Sequence, residues 1–316
     1  MNKMLSILYF QLKIYQKAGN EFQTFFSKIM GYIDSDFTSI KPHGNWGDGG
    51  NDGCNLKVKH YYQIHSPSAT TALNAGNQLK KAITDYKKLQ AKWGTVEGYS
   101  FVINDKFTGT PAPLALDFTN FIDSQGIKTG EIIDSLKLQR MFSRLGDDDK
   151  LDVLDMFCLE TADSDFAPDA IGELIKHLIN DSAEYELSLL TIDAPDFGEK
   201  IKFNKLSPYT ASKLTASSFE IYKVDEFIRL QGDDGISQEL SRKIHDIYID
   251  LLNTIPENTE HRNELIYIGL KDAIVPDYAK KNKISRMGFD KVAEIIISKY
   301  FEACDIYENP NVSIAT

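Results

Sequence analysis

Gly47-Asp48-Gly49-Gly50-Asn51-Asp52-Gly53, followed by Tyr61-Tyr62-Gln63-Ile64-His65, sets a carboxylate beside a strand with polar residues at alternate positions. The first stretch is too rich in glycine for the interior of any regular element. The second is aromatic and β-branched, which favours a strand, and Pro67 ends it. Alternate residues on a strand share a face, so Gln63 and His65 project together. With Asp52 nearby they form a polar cluster at one edge of a sheet. A hard cation such as Mg²⁺ fits between the Asp52 carboxylate, a backbone carbonyl near Ile64, waters and a substrate phosphate. It would lower the pKa of a bound water and stabilise charge on the phosphate.

Three familiar motifs fail on the same stretch. A calcium loop counted from Asp48 has Gly50 at its third position and Lys59 at its twelfth, where a Glu is needed. A dinucleotide fingerprint puts Asp52 in the place of its third glycine, and a strand follows where a helix should. A phosphate loop of the Walker kind ends in Gly-Lys-Ser/Thr, which is absent. The plain alternative is a glycine-rich turn whose aspartates cap the backbone.

Outward from this stretch the pattern is a small α/β unit. Residues 2–16 suit an amphipathic helix, with Met4, Leu5, Ile7, Leu8 and Leu12 apolar. Phe22, Phe25, Phe26, Ile29 and Met30 recur at helical spacing and predict a second helix from Glu21. Phe37 to Ile40 reads as a short strand, and Cys54 to Lys59 alternates as another. Residues 69–93 read as a helix and Tyr99 to Asn104 as a buried strand. Residues 116–180 look helical and acidic, 185–224 mixed with a strand-like run from Leu187 to Ile192, and Val224 to Glu308 helical. The expected organisation is therefore three regions, 1–115, 116–224 and 225–316. The fold class is α+β, a mixed sheet flanked by helices and followed by a mainly helical C-terminal domain.

Charge divides along the same line. The 316 residues carry 35 Lys plus Arg against 46 Asp plus Glu, a formal net charge of -11. Residues 1–115 hold 13 Lys and 8 acids, whereas the remainder holds 22 bases and 38 acids. A basic front suits a polyanion, because Lys at phosphates releases condensed counterions. An acidic rear repels that polyanion and suits a protein partner. No apolar run approaches the roughly 18 residues a membrane helix needs, so no membrane contact is expected. Cys54, Cys158 and Cys304 are too scattered for a disulfide framework or a metal knuckle. With no secretory leader pattern at the start, a reducing, cytoplasmic compartment is expected. His177, His245 and His261 show no ligand spacing, and Asp147-Asp148-Asp149 and Asp233-Asp234 read as solvated charge at helix starts or in loops.

Three segments resemble a known family. They are Gly19-Asn20-Glu21-Phe22-Gln23-Thr24-Phe25; the run from Lys41 to Gly53 with Tyr62 to Pro67; and the tail from Tyr300 to Pro310, joined by Ile266-Tyr267-Ile268-Gly269-Leu270. The glycine-aspartate run and its strand look like the core of PD-(D/E)XK nucleases of the Mrr-type restriction group. The three together resemble nuclease-like components of bacterial ABC-three-component defence systems, relatives of Lamassu. The resemblance covers most of residues 19–113 and about 225–310.

The resemblance implies a restriction-endonuclease-like domain in residues 1–115, an acidic middle region in 116–224 and an interaction domain in 225–316. It implies a metal-dependent DNA endonuclease using Mg²⁺ or Mn²⁺. Asp52 takes the place of the metal-binding Asp, with Asp48 or Glu21 as further ligands. Gln63 takes the place of the first polar residue of the next strand. His65 stands where the family has Lys, and Lys80 or Lys81 on the following helix can supply that cation. Gln23 aligns with the family's helix Glu. Lys80, Lys81 and His43 are the expected nucleic-acid contacts. The implied partners are DNA, an SMC-like ABC ATPase, a third defence subunit and a further copy of this chain through the C-terminal helices. The alternative is a catalytically degenerate nuclease fold acting as a DNA-binding or assembly adaptor.

Overall fold

The computed structural model describes residues 3–41, 49–67, 75–156, 168–180, 196–232, 235–280 and 283–310. The chain divides into two compact units, a front unit from Asn2 to Leu154 and a rear unit from Asp155 to Thr316. The front unit thus runs past residue 115. Among the described residues no helix is long and apolar enough to cross a membrane.

The front unit begins with α1 (Lys3–Gln16) and α2 (Gly19–Ile33). The buried face of α2 is Phe22, Phe25, Phe26, Ile29 and Met30, the stripe its periodicity predicts. Then come β1 (Phe37–Ser39), β2 (Gly53–Asn55), β3 (His60–His65), α3 (Ala75–Trp93), β4 (Gly98–Ile103), α4 (Ala112–Ser124), β5 (Thr129–Ile133), α5 (Ser135–Ser143) and α6 (Asp147–Val153). The five strands form one sheet in sequence order. β1 pairs antiparallel with β2 and β2 antiparallel with β3, whereas β3 and β4, and β4 and β5, pair in parallel. Each parallel step needs a crossover, and α3 and α4 supply them.

β4 lies inside the sheet and is buried along its whole length. On β3, successive aromatic residues face opposite ways, as a pleat requires. Tyr61 meets Trp93 of α3 at 5.9 Å between ring centroids, and Tyr62 meets Phe26 of α2 at 5.7 Å. Tyr86, Leu89, Tyr99, Phe101 and Phe118 complete a core between the sheet, α3 and α4.

Two sequence expectations fail here. Leu56 to Lys59 is a turn, where alternation suggested a strand. The Asn55 carboxamide oxygen accepts from the backbone N–H of Lys57 at 3.0 Å and of Val58 at 3.4 Å, and Lys59 adopts φ 52°. That local cap outcompetes a four-residue alternating pattern. The stretch expected to be helical, 116–180, contains β5. Its sequence, Thr-Gly-Glu-Ile-Ile, has no strand periodicity, and pairing with β4 holds it extended.

The described part of the rear unit is helical: α7 (Pro168–Asn180), α8 (Phe197–Phe203), α9 (Pro208–Ser218), α10 (Ile221–Gln231), α11 (Gly235–Thr254), α12 (Arg262–Ile274), α13 (Asp277–Lys280) and α14 (Lys283–Glu302). The expected run Leu187 to Ile192 lies outside the described residues. α14 is the packing centre, because Ile295, Ile296 and Ile297 are all fully buried. Three consecutive buried positions require neighbours on every side, so the apolar face around Tyr300 and Phe301 is covered within this unit. Lys200, at 1 % exposure, donates to the carbonyls of Phe301 at 2.5 Å and Ile306 at 2.8 Å. Asn204 grips Glu308 through both its backbone N–H and its carbonyl. These bonds tie the tail to α8.

Candidate functional site

Asp52 immediately precedes β2 and is held from both sides by backbone. Its N–H donates to the Tyr62 carbonyl at 2.9 Å, and its carbonyl accepts from Ile40 at 3.0 Å. The residue is only 7 % exposed. Burying a carboxylate requires hydrogen bonds, and three N–H groups supply them. Gln63 Nε2 and the Ile64 backbone N–H both reach Oδ2 at 2.7 Å, and Gln23 Nε2 reaches Oδ1 at 3.1 Å. The strand β3 and the helix α2 therefore converge on one carboxylate.

A cleft of about 690 Å³ opens at this point. Gln23 and Thr24 of α2, Asp52, Gln63, His65 and Lys81 all line it. His65 stacks on Phe101 at 6.1 Å. Burial first, and then the neighbouring Lys81 ammonium, hold its pKa below the usual histidine value, against a smaller opposing pull from Asp85. That shift favours the neutral imidazole, in which one ring nitrogen donates a hydrogen bond and the other accepts one. Lys81 pairs with Asp85 at 2.7 Å, and Lys88 pairs with the same carboxylate at 3.0 Å.

The glycines before Asp52 have a packing reason. Gly50 adopts φ 78°, and a Cβ there would stand 2.3 Å from the Asp85 carbonyl oxygen. The loop thus runs directly against the backbone of α3, which only glycine permits. Asn51 is fully buried and accepts from the Gly53 N–H at 3.1 Å. Part of the glycine-aspartate run is therefore a turn braced on a helix, as the plain alternative held. Asp52 is the member of that run whose side chain meets the cleft.

The structure brings together four of the sequence candidates, Asp52, Gln63, His65 and Lys81. Glu21 is exposed in the first turn of α2 and stands outside the cleft lining; Gln23 occupies the place facing Asp52. Lys80 is exposed on α3, also outside the lining. Asp48 and His43 lie outside the described residues. Asn20, Gln23, Thr24 and Ser27 were legible as a wall only from their i, i+3, i+4, i+7 recurrence, a polar stripe beside the apolar one.

Hard oxygen donors suit Mg²⁺. The site offers the Asp52 carboxylate and Gln63 Oε1, which is buried without a hydrogen-bond partner. Such an orphaned acceptor beside a carboxylate suits a hydrated cation. Among the described residues, no group of three His, Cys, Asp or Glu side chains is arranged to hold a metal ion.

Residues 169–308 match the family model described as C-terminal domain 10 of the ABC-three component (ABC-3C) systems. No curated protein and no solved structure matches the chain. The match spans the helices from α7 to the tail that Lys200 and Asn204 fasten, so this part of the chain is similar to a C-terminal domain of the ABC-three component systems.

Proposed function

We propose that the front unit is a PD-(D/E)XK-like, metal-dependent DNA endonuclease acting in the cytoplasm, within a bacterial defence complex of the Lamassu kind that contains an SMC-like ATPase. The observation that carries this reading is the junction at Asp52. A carboxylate at the mouth of β2 is bonded to Gln63 and Ile64 of β3, in a cleft that also holds His65 and Lys81. The order of elements agrees: a helix, three antiparallel strands, a second helix and a parallel strand. The acidic rear domain, as part of a multi-component system, fits the role of docking to partner subunits.

In this reading Asp52 and Gln63 Oε1 would hold Mg²⁺ or Mn²⁺ through oxygen and water. The metal would supply an activated water and charge stabilisation at phosphorus. Gln63 orients the attacking water. The Lys81 ammonium neutralises charge developing on the phosphate, taking the place of the strand lysine that His65 replaces. Neutral His65 holds a hydrogen bond to the leaving group or to water.

The test is cleavage of supercoiled plasmid by the purified chain, alone and with its co-encoded neighbours, in Mg²⁺ or Mn²⁺ and then in EDTA, beside Asp52→Ala. Metal-dependent cutting lost in the variant is expected. Cutting by Asp52→Ala at the wild-type rate overturns the site.

One observation favours a second reading, a non-cutting adaptor. Both oxygens of Asp52 already accept N–H groups, and Asp52 is the one acid among the described residues lining the cleft. On that reading the chain binds DNA, and plasmid length stays unchanged with every neighbour present.

A further inference from the structure

The positive charge of the front unit is concentrated on one helix. Residues 2–154 hold 18 Lys plus Arg and 16 Asp plus Glu. α3 alone carries five of the bases, Lys80, Lys81, Lys87, Lys88 and Lys92, against one acid, Asp85. The rest of the unit is left with 13 bases and 15 acids. Without α3 the front unit is slightly acidic.

The arrangement on the helix is equally uneven. At 100° per residue the five lysines fall within an arc of about 140°. The buried residues Gln78, Ala82, Tyr86 and Leu89 occupy the opposite side. An ordinary solvated helix face alternates Glu with Lys at i, i+4, but α3 contains no Glu. Its single Asp85 is 4 % exposed and sits beneath Lys81 and Lys88. It steers those two ammonium groups without presenting negative charge to solvent.

The lysine face is also continuous with the cleft. Lys81 lines the cleft beside His65. From there Lys88 and Lys92 follow along the helix at i+7 and i+11, about 16 Å from first to last. That span matches about five phosphates of one nucleic-acid strand.

We propose that α3 is a rail for the phosphodiester backbone of a nucleic acid, leading the strand past the cleft at Lys81. This rests on the reading of the cleft as a phosphodiester site and adds the path by which the chain reaches it. Contacts to phosphate alone carry no sequence information, so the rail grips any sequence. It works without metal, because its contacts are ammonium to phosphate. Duplex DNA and single-stranded RNA share that backbone chemistry.

The experiment is a fluorescence anisotropy titration of the full chain in EDTA, at several NaCl concentrations. The probes are a labelled duplex DNA and a labelled single-stranded RNA of mixed sequence. Each is measured with the wild type, with Lys88→Gln/Lys92→Gln, and with Lys57→Gln/Lys128→Gln. Lys57 and Lys128 lie off α3, paired with Asp36 and Glu97, so the last variant changes net charge equally. For the nucleic acid that uses the rail, the slope of log K against log salt falls by about 1.8 with duplex DNA or about 1.4 with single-stranded RNA in the α3 variant, and holds in the other. Affinity at 0.1 M salt drops roughly tenfold or more. Equal loss in both variants, or no wild-type binding to either probe at low salt, overturns the proposal. Intact binding with no cleavage overturns the nuclease reading and leaves the rail standing. Cleavage without salt-dependent binding does the reverse.

Discussion

Gln63 Nε2 donates to Asp52 Oδ2 across 2.7 Å, joining the middle of β3 to the residue that opens β2. The same oxygen takes the Ile64 backbone N–H, so one side chain bridges consecutive residues of the neighbouring strand. Removing the carboxylate strands three donors at once. A buried N–H left without a partner costs about 1–3 kcal/mol, and cleft water can replace only some of these. Asp52→Ala is expected to lose about 2–4 kcal/mol of stability together with any metal-dependent cutting. Thermal unfolding of the full chain checks the first part. A midpoint equal to wild type would show that these bonds do not hold the strands.

Gly50→Ala should be far more damaging than Gly94→Ala. Both glycines have φ near 80°, so both substitutions meet the left-handed penalty of about 1–2 kcal/mol. At Gly94 an added methyl meets nothing within 4 Å, whereas at Gly50 it meets the Asp85 carbonyl at 2.3 Å. Gly50→Ala is expected to cost about 2 kcal/mol or more beyond the other, read as separate urea midpoints. Equal midpoints would mean that the loop can lift off α3 freely.

Stability should fall in mild acid. His60 and His65 both have pKa values below that of a free histidine, in each case chiefly through burial. Below about 6.5 the unfolded chain binds these protons more readily than the folded one. The stabilisation is complete above that pH and is lost as pH falls toward the folded values. Replacing both residues with Gln should flatten the pH dependence of the unfolding free energy between roughly pH 5 and 7. An unchanged slope would assign acid sensitivity to other groups.

Lys200→Met should loosen the tail of the rear unit. Methionine fills the space of the stem but leaves the Phe301 and Ile306 carbonyls without their donor. A loss of about 2–4 kcal/mol is expected. Amide hydrogen exchange should rise first around residues 301–308, where Asn204, Ser241, His245 and the Tyr307 hydroxyl would remain to hold the tail. Uniform protection loss across the unit would show that Lys200 supports the whole bundle.

Much of the fold was legible because its apolar spacing is regular. The α2 stripe of Phe22, Phe25, Phe26, Ile29 and Met30 is buried as its period requires. β3 and β4 were legible from aromatic and β-branched runs bounded by turn residues. The tail from Tyr300 was legible as part of an ABC-three-component C-terminal domain, which the family match supports. The turn at Leu56 to Lys59 was not, because the Asn55 side chain decides it through a hydrogen bond invisible to periodicity. β5 was not, because a five-residue strand with Gly130 inside owes its shape to β4.

By itself the sequence determined which residue types the site contains. Asp52 and the Gln63, His65 pair follow from a glycine-rich break and a period of two, both local properties of the chain. Tertiary structure alone decided who faces whom. It turned α2 so that Gln23 meets Asp52 while Glu21 points outward, two residues and about 200° apart on the helix. It also brought Lys81 into the cleft while leaving Lys80 outside it. The helix phase is fixed by which stripe is buried against the sheet, and that contact joins residues far apart in the chain.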